Sequence, residues 1–281
     1  MSASPAERPS LDLHDIQGIV LRSYKMPLLR YIVWRIDDAP RARQRLAALS
    51  DKEHPSFTIQ DADAWETKPE YCLNLGFTAD GLRALGVPED TMQTFPPEFL
   101  AGAVGRAPFI GDTGVNDPAN WIDVFGSRDV HMFLSLNART SDAMERVTAQ
   151  LRDEWRSATT EVFCRDGYLP SDHRAHFGFV DGISQPRVAG VPAQRSDTAA
   201  SPEFADPMPL VPPGAFVLGF ESGHTGHHYP APAPDVLGRN GSFAAFRILE
   251  QDCAAFEEFL EESSATTGLD RELIAAKLIG R

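Results

Sequence analysis

Cysteine is scarce in this chain. Its 281 residues contain three, Cys72, Cys164 and Cys253, far apart and without a CxxC spacing. That excludes a disulfide framework and a zinc knuckle, and leaves the thiols as reduced packing residues. Positive charge is also short: twenty-six Lys and Arg stand against forty Asp and Glu, a formal net charge of -14. Such a balance argues against nucleic acid or an anionic membrane surface as the main partner. No apolar run reaches the length of about eighteen residues that a membrane-spanning helix needs, and the first seventeen positions lack the apolar stretch of a signal peptide. A soluble, cytoplasmic protein is expected. No internal repeat of solenoid type occurs. What is present is apolar material, 42% of residues with 9% aromatic, enough for one large or two ordinary domains.

Periodicity divides the chain. Residues 1–17 are polar and contain Pro, as in a loosely held leader. Leu28 to Ile36 is β-branched and aromatic on both faces, a covered strand, and Asp38 with Pro40 opens a helix through Leu49. Tyr71 to Phe77 alternates as a strand. Thr78 caps a short helix that Gly86 and Pro88 close, and a proline-rich loop leads past Phe95. Val130 to Leu136 reads as a strand. From Ser141, the residues Met144, Val147, Leu151 and Trp155 share one helical face, and Glu161 to Arg165 is a fourth strand. The order βα, β, βα, β predicts an α+β, ferredoxin-like domain over 18–170, an antiparallel sheet with helices on one face. A connection over 171–213, rich in Gly, Pro, Ser and Asp, is long enough to be functional. Over 214–281 the strands Ala215–Phe220 and Ser242–Leu249, a helix capped by Asp252, and a short helix over Arg271–Lys277 read as the first part of a second ferredoxin-like domain. So few elements cannot bury their own apolar faces, and that domain is expected to be truncated.

Within the connection lies the run His176-Phe177-Gly178-Phe179-Val180-Asp181-Gly182-Ile183-Ser184-Gln185-Pro186. Asp-Gly by itself is a common turn dipeptide. The whole run, with its Gly178-x-x-Asp181-Gly182 core, resembles the signature of the DyP-type haem peroxidases. Flanking segments are similar to that family in the same order: Asp15-Ile16-Gln17-Gly18; Asn74-Leu75-Gly76-Phe77-Thr78 with Gly81-Leu82 and Leu85-Gly86; Gly111-Asp112-Thr113-Gly114; and Gly238-Arg239-Asn240-Gly241-Ser242 with Phe246-Arg247. The resemblance implies haem b as cofactor, hydrogen peroxide as oxidant and small phenolic or dye-like donors. It assigns Asp181 as the catalytic acid-base above the haem, with Phe179, Gly182, Ile183, Ser184 and Gln185 beside the haem edge. Heterolysis of a peroxide needs one group that takes a proton from one oxygen and returns it to the other, and a carboxylate can do both. Apolar neighbours should raise the Asp181 pKa toward that role. Arg239 could pair with a haem propionate or with surface acids.

In the family the proximal histidine and distal arginine follow a segment like Ala275 to Arg281, so the resemblance implies that this chain lacks both and binds haem weakly by itself. The missing half could come from another chain. His173 and His176 fall on the Asp181 side and are expected as loop residues; His131 is expected as a hydrogen-bonded structural residue. His224-x-x-His227-His228 lacks a second fixed arm, and no metal is assigned there. The competing reading is a non-catalytic remnant or pairing subunit that binds a partner chain. A haem-free small-molecule domain on the same fold is a third.

Overall fold

Branched and aromatic side chains over nine residues suit a pleated surface covered on both faces, and β1, Leu28–Ile36, forms there. The computed structural model describes residues 11–50, 57–174, 176–180, 186–192, 210–223 and 227–280. Asp38 caps α1, Ala39–Leu49, by accepting from the Arg41 amide, and Pro40 sits in the first turn where its missing N–H costs nothing. Next come β2, Tyr71–Phe77, and α2, Ala79–Ala84, which Thr78 caps through the Gly81 amide. α3, Pro97–Ile110, is kinked at Gly102; β3, Met132–Ala138, α4, Ser141–Trp155, and β4, Thr159–Tyr168, follow. Two-residue strands β5, Arg187–Val188, and β6, Leu210–Val211, pair in parallel. Last are α5, Cys253–Thr267, and α6, Arg271–Ile279.

The main sheet has the order β2-β3-β1-β4, and every pair in it is antiparallel. This is the ferredoxin-like α+β arrangement expected from the strand and helix order. Because side chains alternate, Ile32, Trp34 and Ile36 share a face with Met132, Leu134 and Leu136, and onto it α4 lowers Met144, Val147, Leu151 and Trp155. The Trp34 and Trp155 rings lie 5.3 Å apart at the centre of this core. At its edge the buried Arg30 guanidinium holds Asp166 of β4 through two bonds of 2.6 and 2.8 Å and Glu145 of α4 at 2.8 Å, with Thr148 Oγ1 at 3.1 Å. One strand is thereby tied to a neighbouring strand and to the covering helix.

Chain contacts divide the protein into two units, Met1–Leu169 with Pro186–Ser242, and Pro170–Gln185 with Phe243–Arg281. The first holds the sheet. The second holds α5 and α6, in which Leu260 and Ala275 are buried and between which Arg271 and Glu257 form an ion pair.

Three local expectations fail. The proline-rich stretch past Phe95 is helical, not a loop: Pro97 occupies the first turn, where proline is favoured, and Gly102, at φ 64°, takes the bend. Ala215 to Phe220 is no strand either. Pro212-Pro213-Gly214 opens a 3-10 turn at Pro213–Ala215, and Gly219 at φ 89° breaks the extended run. Ser242 to Leu249 belongs to no strand among the described residues, since an alternating segment becomes a strand only beside a neighbour with matching edges.

Candidate functional site

The described part of the signature loop is held by its own second unit. Asp172 Oδ1 accepts from the Arg174 amide at 3.2 Å, and Arg174 and Val180 form an antiparallel bridge that closes the loop between them. Across it the Arg174 guanidinium donates to the Gly178 carbonyl. Gly178 has φ 86°, which a side chain would strain, although nothing lies within 4 Å of the place a Cβ would take. Backbone conformation, not crowding, is what asks for glycine here. Outside the loop, the Phe177 ring packs on Phe256 of α5 with centroids 4.4 Å apart, and the Cys253 thiol, one helical turn earlier, donates to the His176 carbonyl at 3.4 Å. Phe179 follows, half-buried. Asp181, Gly182, Ile183, Ser184 and Gln185, the core of the expected site, lie outside the described residues.

Arg239 belongs to the first unit. It ends a short turn, Asp235–Gly238, with its amide bonded to the Asp235 carbonyl and its guanidinium over the Phe220 ring, 5.6 Å from the centroid. The turn is rigidly seated. Asn240, at φ 62°, donates through Nδ2 to Asp15 at 2.7 Å, and Leu218 exchanges backbone bonds with Asn240 and Gly241. A Cβ on Gly238 would stand 2.1 Å from the Pro232 carbonyl oxygen, so glycine is required there by close approach. Arg239 itself is exposed and makes no ion pair among the described residues, which leaves its guanidinium able to receive an anion.

Several segments that carried the family likeness meet in this unit as structural clasps. Gln17 bonds both backbone groups of Leu75, at 2.8 and 2.9 Å, while Tyr24 donates to Asn74 at 2.6 Å and Asn74 to the Gln60 carbonyl at 2.9 Å. Asp15 reaches Asn240 across 225 positions of sequence. Sequence patterns alone gave these residues no role, because partners so remote leave no local period.

The histidines have their own duties. His131 Nδ1 accepts from the Ile36 amide at 3.0 Å, the hydrogen-bonded structural role expected of it. His14 stands between Asp61 and Asp63, and the hydrogen bond and charge of Asp61 hold its proton above the usual imidazole range. His173 and His176 are exposed loop residues, His227 stacks edge-on against Tyr229, and His224 lies outside the described residues. No group of three or more His, Cys, Asp or Glu among the described residues is arranged to hold a metal ion. A cavity of about 90 Å³ opens beside Arg30 between β1, α4 and β4, but ligand pockets run to about 300 Å³ or more. It is no seat for a porphyrin. Among the described residues, no helix is long and apolar enough to cross a membrane.

Residues 15–169 match the family model described as the DyP dimeric alpha+beta barrel domain. The dye-decolorizing peroxidase msp1 of Mycetinis scorodonius is 28% identical over 288 residues, covering 100% of this chain and 52% of that protein. A dye-decolorizing peroxidase of Mycena epipterygia is 29% identical, covering 97% of this chain and 49% of that one. A solved dye-decolorizing peroxidase in complex with 2,6-dimethoxyphenol superposes with a TM-score of 0.70 and 26% identity, over 89% of this chain and 52% of its own. The chain thus spans about half the length of the relatives it matches. With its ferredoxin-like sheet and its run of matching segments, it belongs to the DyP-type peroxidase family.

Proposed function

We propose that this chain supplies the proton-handling side of a haem peroxidase that reduces hydrogen peroxide and oxidises phenolic or dye-like donors. The observation that carries the reading is the Gly178-x-x-Asp181-Gly182 run within a chain of this family. Haem b, when bound, would supply the redox chemistry, giving up the two electrons that cleavage of a peroxide bond requires. Asp181 takes a proton from one peroxide oxygen through a carboxylate oxygen and returns it to the other, so that the departing oxygen leaves as water instead of hydroxide. Phe177, Phe179 and Ile183, apolar neighbours of Asp181 in the sequence, would limit water around that carboxyl. Gly182, Ile183, Ser184 and Gln185 are the residues of the run that would hold the haem, and the exposed Arg239 guanidinium has the chemistry to pair with a carboxylate such as a propionate. The chemistry of these groups, a carboxylate, apolar side chains and a guanidinium, suits a haem. The axial donor is a different matter, because His131 and His14 are already engaged and the remaining described histidines stand on exposed loops.

A second reading, a non-catalytic pairing subunit that binds a partner chain, draws on exposed apolar side chains in the second unit, Leu249, Phe259 and Leu278 among them. Hemin titration followed by peroxide addition separates the two. The chain alone should bind hemin weakly, and supplying an axial imidazole, free or on a partner chain, should bring peroxide-dependent oxidation of 2,6-dimethoxyphenol. A tight histidine-ligated spectrum from the chain alone would overturn the account of the axial donor. Absence of oxidation with haem and imidazole both bound would overturn the peroxidase reading.

A further inference from the structure

Arg239 is exposed, but what supports it is built from several parts of the first unit. Its stem passes Gly219, where a Cβ would stand 3.4 Å from Arg239 Cγ. Its guanidinium lies over the Phe220 ring, and that ring is itself fixed, 3% exposed in a cluster with Ile16, Ala62 and Val217. On the C-terminal side, Asn240 holds a left-handed φ of 62°, a conformation that a residue other than glycine keeps only when its surroundings impose it. The imposing contacts are the Asp15 carboxylate, which accepts from Asn240 Nδ2 at 2.7 Å, and the Leu218 carbonyl, which accepts from the Asn240 amide at 3.2 Å. Asp15 and Ile16, neighbours in sequence, thus support both the turn that carries Arg239 and the ring beneath its guanidinium.

We infer that Asp15 and Phe220 are positioning residues for Arg239, Asp15 by fixing the turn through Asn240 and Phe220 by carrying the guanidinium, so that the charge is held ready for a carboxylate. The inference rests on the reading of Arg239 as the partner of a haem propionate. An arginine on an exposed turn loses rotamer freedom when it closes on an anion, and a side chain already held loses less. A ring attracts the cation without neutralising it, so the charge remains for the incoming group.

Two readouts on the full chain separate position from charge. Hydrogen-deuterium exchange of the amides over 239–241 should quicken about tenfold in Asp15→Ala and stay at the parent rate in Asp15→Asn, which keeps an acceptor for Asn240. The second readout is the preference, with imidazole present, for hemin over hemin dimethyl ester, whose esterified propionates carry no charge. The parent should favour hemin by about fivefold, the scale of an exposed ion pair. Arg239→Gln should abolish that preference, Asp15→Ala and Phe220→Leu should each reduce it below about twofold, and Asp15→Asn should retain it. Charge alone predicts the opposite for Asp15→Ala, because an anion near Arg239 opposes a second one. If circular dichroism shows Asp15→Ala to be misfolded, Asn240→Gly cuts the same bond from its other end and suits the backbone angle. Where Arg239→Gln abolishes the preference, an unchanged or raised preference in Asp15→Ala, or an unchanged one in Phe220→Leu, would overturn the positioning role of that residue. A preference that survives Arg239→Gln, or a parent that shows none, would instead overturn the reading of Arg239 beneath it, and the exchange data would then report a structural contact alone.

Discussion

Arg30 is a single charge whose placement is bearable only because of its partners. Its side chain is 10% exposed, whereas Glu145 and Asp166 are 67% and 60% exposed, so the cation is buried and the anions face water. The guanidinium holds both carboxyls below their ordinary values of 4.5 and 3.8. Groups with lowered values in the fold contribute stability above the ordinary carboxylate range, and that contribution disappears as pH falls through the folded values. Arg30→Met should therefore cost about 1–2 kcal/mol at pH 7, less than for a fully buried pair because the freed carboxylates rehydrate. Denaturant unfolding should show the gap to the parent protein closing between about pH 5 and pH 3. An equal gap at both ends would mean that the arginine contributes packing and no charge pairing.

At the scale of elements, the Trp34 and Trp155 pair decides whether β1 and α4 stay together. Each ring is 1% exposed. Trp155→Ala should destabilise by about 3–5 kcal/mol, the range for removing a large buried aromatic, with little change in the slope of the denaturant transition. A loss under about 1 kcal/mol would show that the core collapses around the gap. This packing was legible in the sequence, because Met144, Val147, Leu151 and Trp155 keep helical period and Tyr71 to Phe77 alternates. So were the caps at Asp38, Thr78 and Asp252, whose partners lie three residues away. Elements that owe their form to a remote neighbour were not legible. α3 carries no clean stripe, and Ala215 to Phe220 has an apolar run whose fate Gly219 decides by its backbone angle. In the site, the motif residues could be read from the sequence, but Phe256 looked like one more apolar residue on a helix. Its value comes from Phe177, and 79 positions separate the two.

For the whole molecule, the units divide the labour. The first is a sheet domain whose motif segments serve largely as clasps, with Asp15 on Asn240 and Gln17 on Leu75. The second carries the loop that leads into Asp181, braced on α5. The account turns on Asp181 moving a proton, and the measurement closest to that claim is stopped-flow observation of the peroxide step in Asp181→Asn loaded with hemin in the presence of imidazole, beside the parent protein loaded in the same way. Asparagine keeps the size and turn preference but cannot exchange a proton. The second-order rate at neutral pH should fall about a hundredfold or more, the usual scale of general acid-base help, with haem content and fold retained. An unchanged rate constant would contradict the account, leave Asp181 as a turn residue, and remove the strongest support for a peroxidase function in this chain.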